Sequence, residues 1–278
     1  MTGEVAALLD RKGLKLGHYV GEFTTPGIGY IMKEAGADFV FLDMEHSGNS
    51  FETVQRCLRY FEAADMPVFT RVPSDRSDHI ARALDAGADA IVIPMVGSAK
   101  QARSVLEKMK YTPIGKRGLA LALANDRYRM QPVSQALAAA NARTRFVALI
   151  ETAEGIENVD EIAAVDGVDV LWVGHLDLTA SMGIPGQFDH PDYKKALAKV
   201  LKAGQKHGLG LGRMVGDIPS GVGLAEEGWD LIAYNGDVWL LQNALRQGID
   251  GIRSGYADVA KAAKKGAAKK TKKKAKGG

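Results

Sequence analysis

Eight short apolar runs, each separated from the next by a longer stretch, constrain this chain more than any other feature of it. They are Leu14–Val20, Asp38–Asp43, Val68–Val72, Ala90–Pro94, Phe146–Glu151, Val170–Gly174, Leu209–Met214 and Leu231–Asn235. Apolar runs this short suit strands buried on both faces, as parallel strands are. The intervening stretches include Ser77–Ala86, Ser98–Lys110, Glu154–Ala164, Tyr193–His207 and Asp237–Arg253, all with apolar residues at helical spacing. Eight strand–helix repeats predict a (β/α)8 TIM barrel, and 278 residues suit one such domain.

Punctuation supports the barrel. Gly36-Ala-Asp38, Gly87-Ala-Asp89 and Gly167-Val-Asp169 each stand just before a strand. Glycine there ends a helix in the left-handed conformation before the chain turns inward. The stretch Gly115–Pro132 is long for a barrel connection, and its basic residues suit either an anionic-substrate lid or a plain solvated loop.

Charge separates body from tail. Nine of the 36 basic residues lie between Lys261 and Lys276, which leaves 27 against 33 acids in the body. The basic balance therefore belongs to the tail, and the body offers no nucleic-acid surface. Residues 1–255 are expected to form the barrel. Residues 256–278, of Ala, Lys and Gly, are expected to be an unordered tail with at most weak contact to nucleic acid or an acidic partner. Cys57 is the single cysteine, on an amphipathic helical pattern, and reads as a buried apolar residue. Charges close to Met1 and the lack of a long apolar run predict a cytoplasmic protein without a membrane partner.

Barrel chemistry is carried by the C-terminal ends of the strands. Those positions hold Asp43, Glu45 and His46, then Arg71, Glu151 and Asp177. Carboxylates crowded in a cleft repel one another, and a divalent cation relieves that. Glu151 and Asp177, on adjacent strands with no cysteine nearby, describe a hard oxygen site for magnesium or manganese. No strand end carries a lysine, which disfavours imine chemistry. His46 suits proton transfer, and Arg71 offers a fork for a carboxylate or an enolate oxygen, or else a salt bridge to Asp43. Asp217 and Asp237 at the starts of the last helices suit caps and oppose a phosphate, which favours an unphosphorylated carboxylate substrate.

The segments Phe41-Leu-Asp-Met-Glu-His46-Ser, Thr70-Arg71-Val-Pro, Leu84-Asp85-Ala-Gly87-Ala, Val92-Ile-Pro94-Met95-Val96, Ile150-Glu151-Thr and Asp177-Leu resemble the HpcH/HpaI aldolase/citrate lyase family, in the right order over Leu14 to Gly251. The resemblance implies a barrel of the phosphoenolpyruvate/pyruvate type. It also implies a class II aldolase that joins or cleaves pyruvate, or hydroxypyruvate, and an aldehyde. Glu151 and Asp177 would hold Mg2+, Mn2+ or Co2+, Arg71 would stabilise the enolate, and His46 with Asp43 would move protons. Asp85, to which the strand-end reading gives no role, would reach the active site of a neighbouring subunit. A homo-oligomer is therefore implied, commonly a hexamer with exchanged C-terminal helices. The backbone of Gly174, His175 and Leu176 would receive the substrate carboxylate, although His175 stands where the family usually has proline. Two rivals remain: a CoA-thioester lyase of the citryl or malyl type, using Lys116, Arg117, Arg127 and Arg129, and a non-catalytic binding protein acting through its basic tail.

Overall fold

The computed structural model describes residues 4–274, with side chains up to Lys265. The chain divides into two units, Met1–Asp237 and Val238–Gly278. In the first, eight parallel strands close on themselves in sequence order, with β8 beside β1. They are β1 (Lys15–Val20), β2 (Phe39–Asp43), β3 (Val68–Arg71), β4 (Ala90–Ile93), β5 (Arg145–Ile150), β6 (Val168–Val173), β7 (Gly210–Val215) and β8 (Leu231–Gly236). All eight expected strands are present, with ends displaced by two residues at most.

Helix α1 (Glu4–Asp10) precedes the barrel. Around it run α2 (Ile28–Glu34), α3 (Phe51–Ala63), α4 (Ser77–Asp85), α5 (Ala99–Met109) and α6 (Val133–Arg143). The second half carries α7 (Ala153–Glu157), α8 (Val159–Ala163), α9 (His175–Ser181), α10 (Pro191–His207) and α11 (Ile218–Glu227), and α12 (Asp237–Lys274) follows β8. Expected as one helix, Glu154–Ala164 breaks at Asn158, whose side-chain amide donates to the Gly97 carbonyl at 2.8 Å.

The barrel interior is filled by aromatic residues. Phe39, Phe41, Phe69 and Trp172 pack there, with Phe39 edge-on to Phe69 at 5.2 Å. Space for them comes from the neighbouring strands: a Cβ on Gly17 would overlap Phe39, and one on Gly212 would overlap the Trp172 indole. Val5 and Leu8 of α1 belong to the same cluster. Outward-facing residues such as Val40, Leu42, Ile91 and Leu171 form the larger core beneath the helices, where Cys57 is buried and its thiol is pushed up to about 11 by burial.

Gly36, Gly87 and Gly167 all have positive φ, as the repeated motif requires. Each is followed by an aspartate that staples the N-terminal edge. Asp38 accepts the Leu16 N–H, and Asp169 accepts that of Phe146. Gly228-Trp229-Asp230 repeats the device on Leu211. These glycines serve the fold.

Two expectations are corrected. The stretch Gly115–Pro132 follows a helix rather than a strand, and so joins the N-terminal face, away from the mouth. Arg127 reaches Asp89 at the start of β4 and Glu62 at the end of α3, and Ala124–Asp126 forms a short 3-10 turn. It is a brace, and no lid. The tail expected to be unordered after Tyr256 instead continues α12 to Lys274. Alanine and lysine are strong helix formers, so poverty in apolar residues does not stop the helix. Lys276 and the rest of the tail lie outside the described residues. Among the described residues, no helix is long and apolar enough to cross a membrane.

Candidate active site

Asp43 ends β2 and Arg71 ends β3, and the strand register sets them side by side. Arg71 grips Asp43 with both arms of its fork: Nε donates to Oδ1 at 2.6 Å and Nη2 to Oδ2 at 2.8 Å. Tyr19 Oη, from β1, donates to Oδ2 at 2.6 Å, and the N–H groups of Glu45 and His46 donate to the same carboxylate. Burial alone would raise Asp43, but the bonds and charge of Arg71, with the Tyr19 hydroxyl, hold it below the usual carboxylate range. Its side chain is 0% exposed, and Arg71 is nearly as enclosed at 10%. The salt bridge to Asp43, open as an alternative in the sequence, is therefore formed. It does not exhaust the guanidinium. Nη1 lies 3.1 Å from Glu45 Oε2 as an ion pair without a hydrogen bond, and five donors are present in all.

His46 lies beyond this lock, with its side chain 62% exposed and Nε2 3.9 Å from Glu45 Oε2. Its backbone, rather than its ring, meets Asp43. Of the two acids that the sequence sets close enough to orient the imidazole, Asp43 and Glu45, it is Glu45 whose carboxylate stands beside the ring. Burial raises Glu45 above its ordinary value, and the Arg71 charge opposes that rise.

Across the mouth, Glu151 follows β5 and is buried. The Met95 N–H donates to its Oε1 at 2.7 Å, and Met95 holds a positive φ of 55° to present it. Burial pushes Glu151 up to about 7; the Met95 N–H pulls it down, and the charges of Glu45 and Asp177 add to the rise. The other oxygen faces the turn after β6, where a Cβ on Gly174 would overlap it. Gly174 is therefore the space into which this carboxylate fits. A Gly174→Ala change is expected to displace Glu151 and cut turnover at least about tenfold, with some loss of Tm from the overlap, since misplacing a group that a site depends on typically costs about 10–100-fold. Unchanged kinetics in that variant would show that the carboxylate's placement does not matter.

Asp177, in the first turn of α9, is exposed at the same mouth, close enough for its charge to act on Glu151 and Glu45. Among the described residues, neither Glu151 nor Asp177 has a lysine or arginine in ion-pair contact. Also among the described residues, no group of three or more His, Cys, Asp and Glu side chains is placed to hold a metal ion. A buried, raised carboxylate and an exposed one, both hard oxygen donors, fit a divalent cation whose other positions go to water and substrate.

The turn after β6 offers backbone donors. Gly174 gives α9 no side-chain cap, so the first N–H groups of the helix, at His175 and Leu176, lack that acceptor. His175 turns its ring edge-on to Phe188 at 5.3 Å. Burial, with the Arg213 charge behind it, lowers the imidazole to about 4, so it is neutral at pH 7. Asp85 is not brought to this mouth; it ends α4 and is bound by Arg117 at 2.5 Å. Asp217 caps α11 as expected, with Ser220 N–H on its carboxylate. Asp237 does something else: its Oδ2 accepts the N–H groups of Glu22 and Phe23 and fixes the loop after β1.

The patch considered for CoA phosphates is largely occupied. Lys116 pairs with Glu107, Arg117 with Asp85, and Arg127 with Glu62 and Asp89.

A parallel barrel with charged side chains collected at the C-terminal ends of its strands has the architecture of a barrel enzyme. The chain belongs to the HpcH/HpaI aldolase/citrate lyase family of carbon–carbon lyases, whose model matches residues 23–244. It is 35% identical over 229 residues to a hydroxypyruvate/pyruvate aldolase of Paraburkholderia phytofirmans, covering 80% of this chain and 87% of that one. A 4-hydroxy-2-oxovalerate aldolase of Novosphingobium aromaticivorans is 34% identical, over 73% of this chain and 78% of its own. Among solved structures, an HpcH/HpaI aldolase from Desulfitobacterium hafniense superposes with a TM-score of 0.84 at 29% identity, covering 91% of this chain and 97% of that one.

Proposed function

We propose that the protein is a divalent-metal-dependent aldolase that makes or cleaves the bond between pyruvate, or hydroxypyruvate, and an aldehyde. The observation that carries the reading is the buried Glu151 carboxylate, raised to about 7 and facing Asp177 and Arg71 across one mouth. The names of relatives that act on pyruvate and hydroxypyruvate support the donor.

Glu151 and Asp177 would hold the cation, with Mg2+, Mn2+ or Co2+ suited to these donors. When bound, it supplies Lewis-acid polarisation of the keto-acid carbonyl, which makes loss of a C3 proton feasible. The N–H groups of Gly174, His175 and Leu176 orient the substrate carboxylate. Arg71, held rigid by Asp43, places its remaining donors toward the oxygen on which enolate charge develops, so its contribution is largest in the transition state. His46, at the exposed rim beside Glu45, carries protons between the donor or the new alkoxide and solvent. Arg71, with the half-buried Tyr19 hydroxyl, keeps Asp43 from competing for that proton.

Asp85 can serve such a mouth only from a second copy of the chain. The apolar stripe on α12, with Leu241, Leu245, Ile249 and Ile252 exposed at helical spacing, supports a homo-oligomer. A cytoplasmic setting goes with this reading.

The test is chelation. After dialysis against EDTA, cleavage and condensation with pyruvate are expected to fall to background, and added Mg2+, Mn2+ or Co2+ is expected to restore them. Full activity in the chelated protein overturns the reading. Cleavage of an acyl-CoA in place of pyruvate chemistry favours the thioester-lyase rival instead.

A further inference from the structure

On β7, Gly212 faces the barrel interior against Trp172, so strand alternation turns Arg213 outward, between the barrel and its helices. Its guanidinium lies near the rings of Tyr193 on α10, at 5.8 Å, and Trp229, at 5.6 Å. Nη2 donates to Tyr193 Oη at 2.9 Å, while the buried Nε has no hydrogen-bond partner. Among the described residues, no carboxylate forms an ion pair with it. Glu227 acts on this cation only at a distance, and a partly enclosed cation with no ion-pair partner is costly to keep unless something else supplies the charge.

Beside Arg213 a cleft of about 540 Å³ opens between α10 and α11. Its floor is apolar, formed by Leu197, Leu201, Val215 and Leu224. Lys194 stands on its wall, paired with the exposed Asp189 at 3.0 Å. Among the described residues, the one acid lining the cleft, Glu227, accepts the Trp229 indole N–H at 3.2 Å. Glu151, Asp177 and Arg71 do not line it.

We propose that this cleft is a second binding site, for a small organic carboxylate whose acid group pairs with Arg213 and whose short apolar body lies on the leucine floor. The fork of Arg213 suits a planar carboxylate, and the floor favours three to six carbons over a bare inorganic anion. Burial already lowers Arg213, and an anion beside it reverses that tendency. The site stands apart from the mouth, yet the rings of Tyr193, Phe188 and His175 connect it to the turn that carries Asp177.

The experiment is a titration of the full-length protein with propionate, butyrate, phosphate and chloride, read by tryptophan fluorescence and by Tm. None of these probes is a 2-oxo acid, so the mouth's chemistry does not enter. Saturable butyrate binding, at least tenfold tighter than phosphate or chloride, is expected in wild type and equally in Glu151→Gln. Arg213→Met, which keeps an unbranched apolar stem in place of the guanidinium, should lose it at least tenfold, with an unchanged circular dichroism spectrum showing that it remains folded. Tyr193→Phe, which removes only the hydroxyl, should retain binding. The proposal is overturned by absent saturation in wild type, by equal affinity for chloride, or by unchanged binding in Arg213→Met. Binding lost in Glu151→Gln would place the carboxylate in the mouth and also overturn it.

Discussion

Glu151→Gln is expected to leave the barrel folded and to reduce carbon–carbon turnover by about 10²–10³-fold or more, the scale on which one electrostatic group in a transition state is felt. The amide oxygen can still accept the Met95 N–H, so the local backbone need not move. What disappears is the charge. Stability should change in the opposite sense to activity. Glu151 has a folded value of about 7, above its ordinary 4.5, because burial disfavours its ionised form. Such a group favours the folded state fully below the ordinary value and ceases to do so as pH rises through the folded one. In chelated protein the variant should therefore match wild type near pH 4.5 and melt higher than wild type above pH 7. A gain in Tm beside a loss of turnover is the signature of a residue held against stability for function. Wild-type turnover in the variant would remove Glu151 from the chemistry, and an equal Tm at pH 8 would show that its charge costs the fold nothing.

The barrel was legible because each strand is a short apolar run and each αβ turn repeats Gly-x-Asp. Asp43, Arg71 and Glu151 were legible for a related reason: a charged residue closing an apolar run has only the mouth to enter. Three features left no such mark. The Met95 N–H reaches Glu151 through a positive φ that its sequence does not announce. Tyr19 looks like any strand aromatic until its hydroxyl is seen on Asp43, although its place at the end of the first strand was a usable signal. Asp237 reads as a cap, but its carboxylate serves a loop more than two hundred residues away. The composition of Gly115–Pro132 suits a lid or a solvated loop, whereas its place after a helix assigns it to the opposite face. Arg213 leaves no mark either, because an arginine inside a strand next to glycine carries no direction until the register is known.

Arg71→Ala is expected to lose both stability and kcat, and the two losses can be separated. Asp43 is fully enclosed and is met by one cation along two bonds. Removing one partner of a buried pair typically costs about 3–5 kcal/mol, because the other charge is left uncompensated. The loss should depend on pH. In wild type Asp43 lies below its ordinary value, so its pairing stabilises the fold above pH 3.8 and ceases to as pH falls through the folded value. Without Arg71, burial raises Asp43 instead. The gap in unfolding free energy between wild type and variant should therefore be widest near neutrality and narrow in acid. Adding Asp43→Asn should return much of the stability, since an amide does not need the lost cation. It should not return kcat, expected to stay down by about 10²–10³-fold with KM less affected, if the guanidinium acts on developing enolate charge. Recovery of kcat together with stability in the double variant would reduce Arg71 to a structural partner of Asp43 and leave the enolate with no group but the cation to stabilise it.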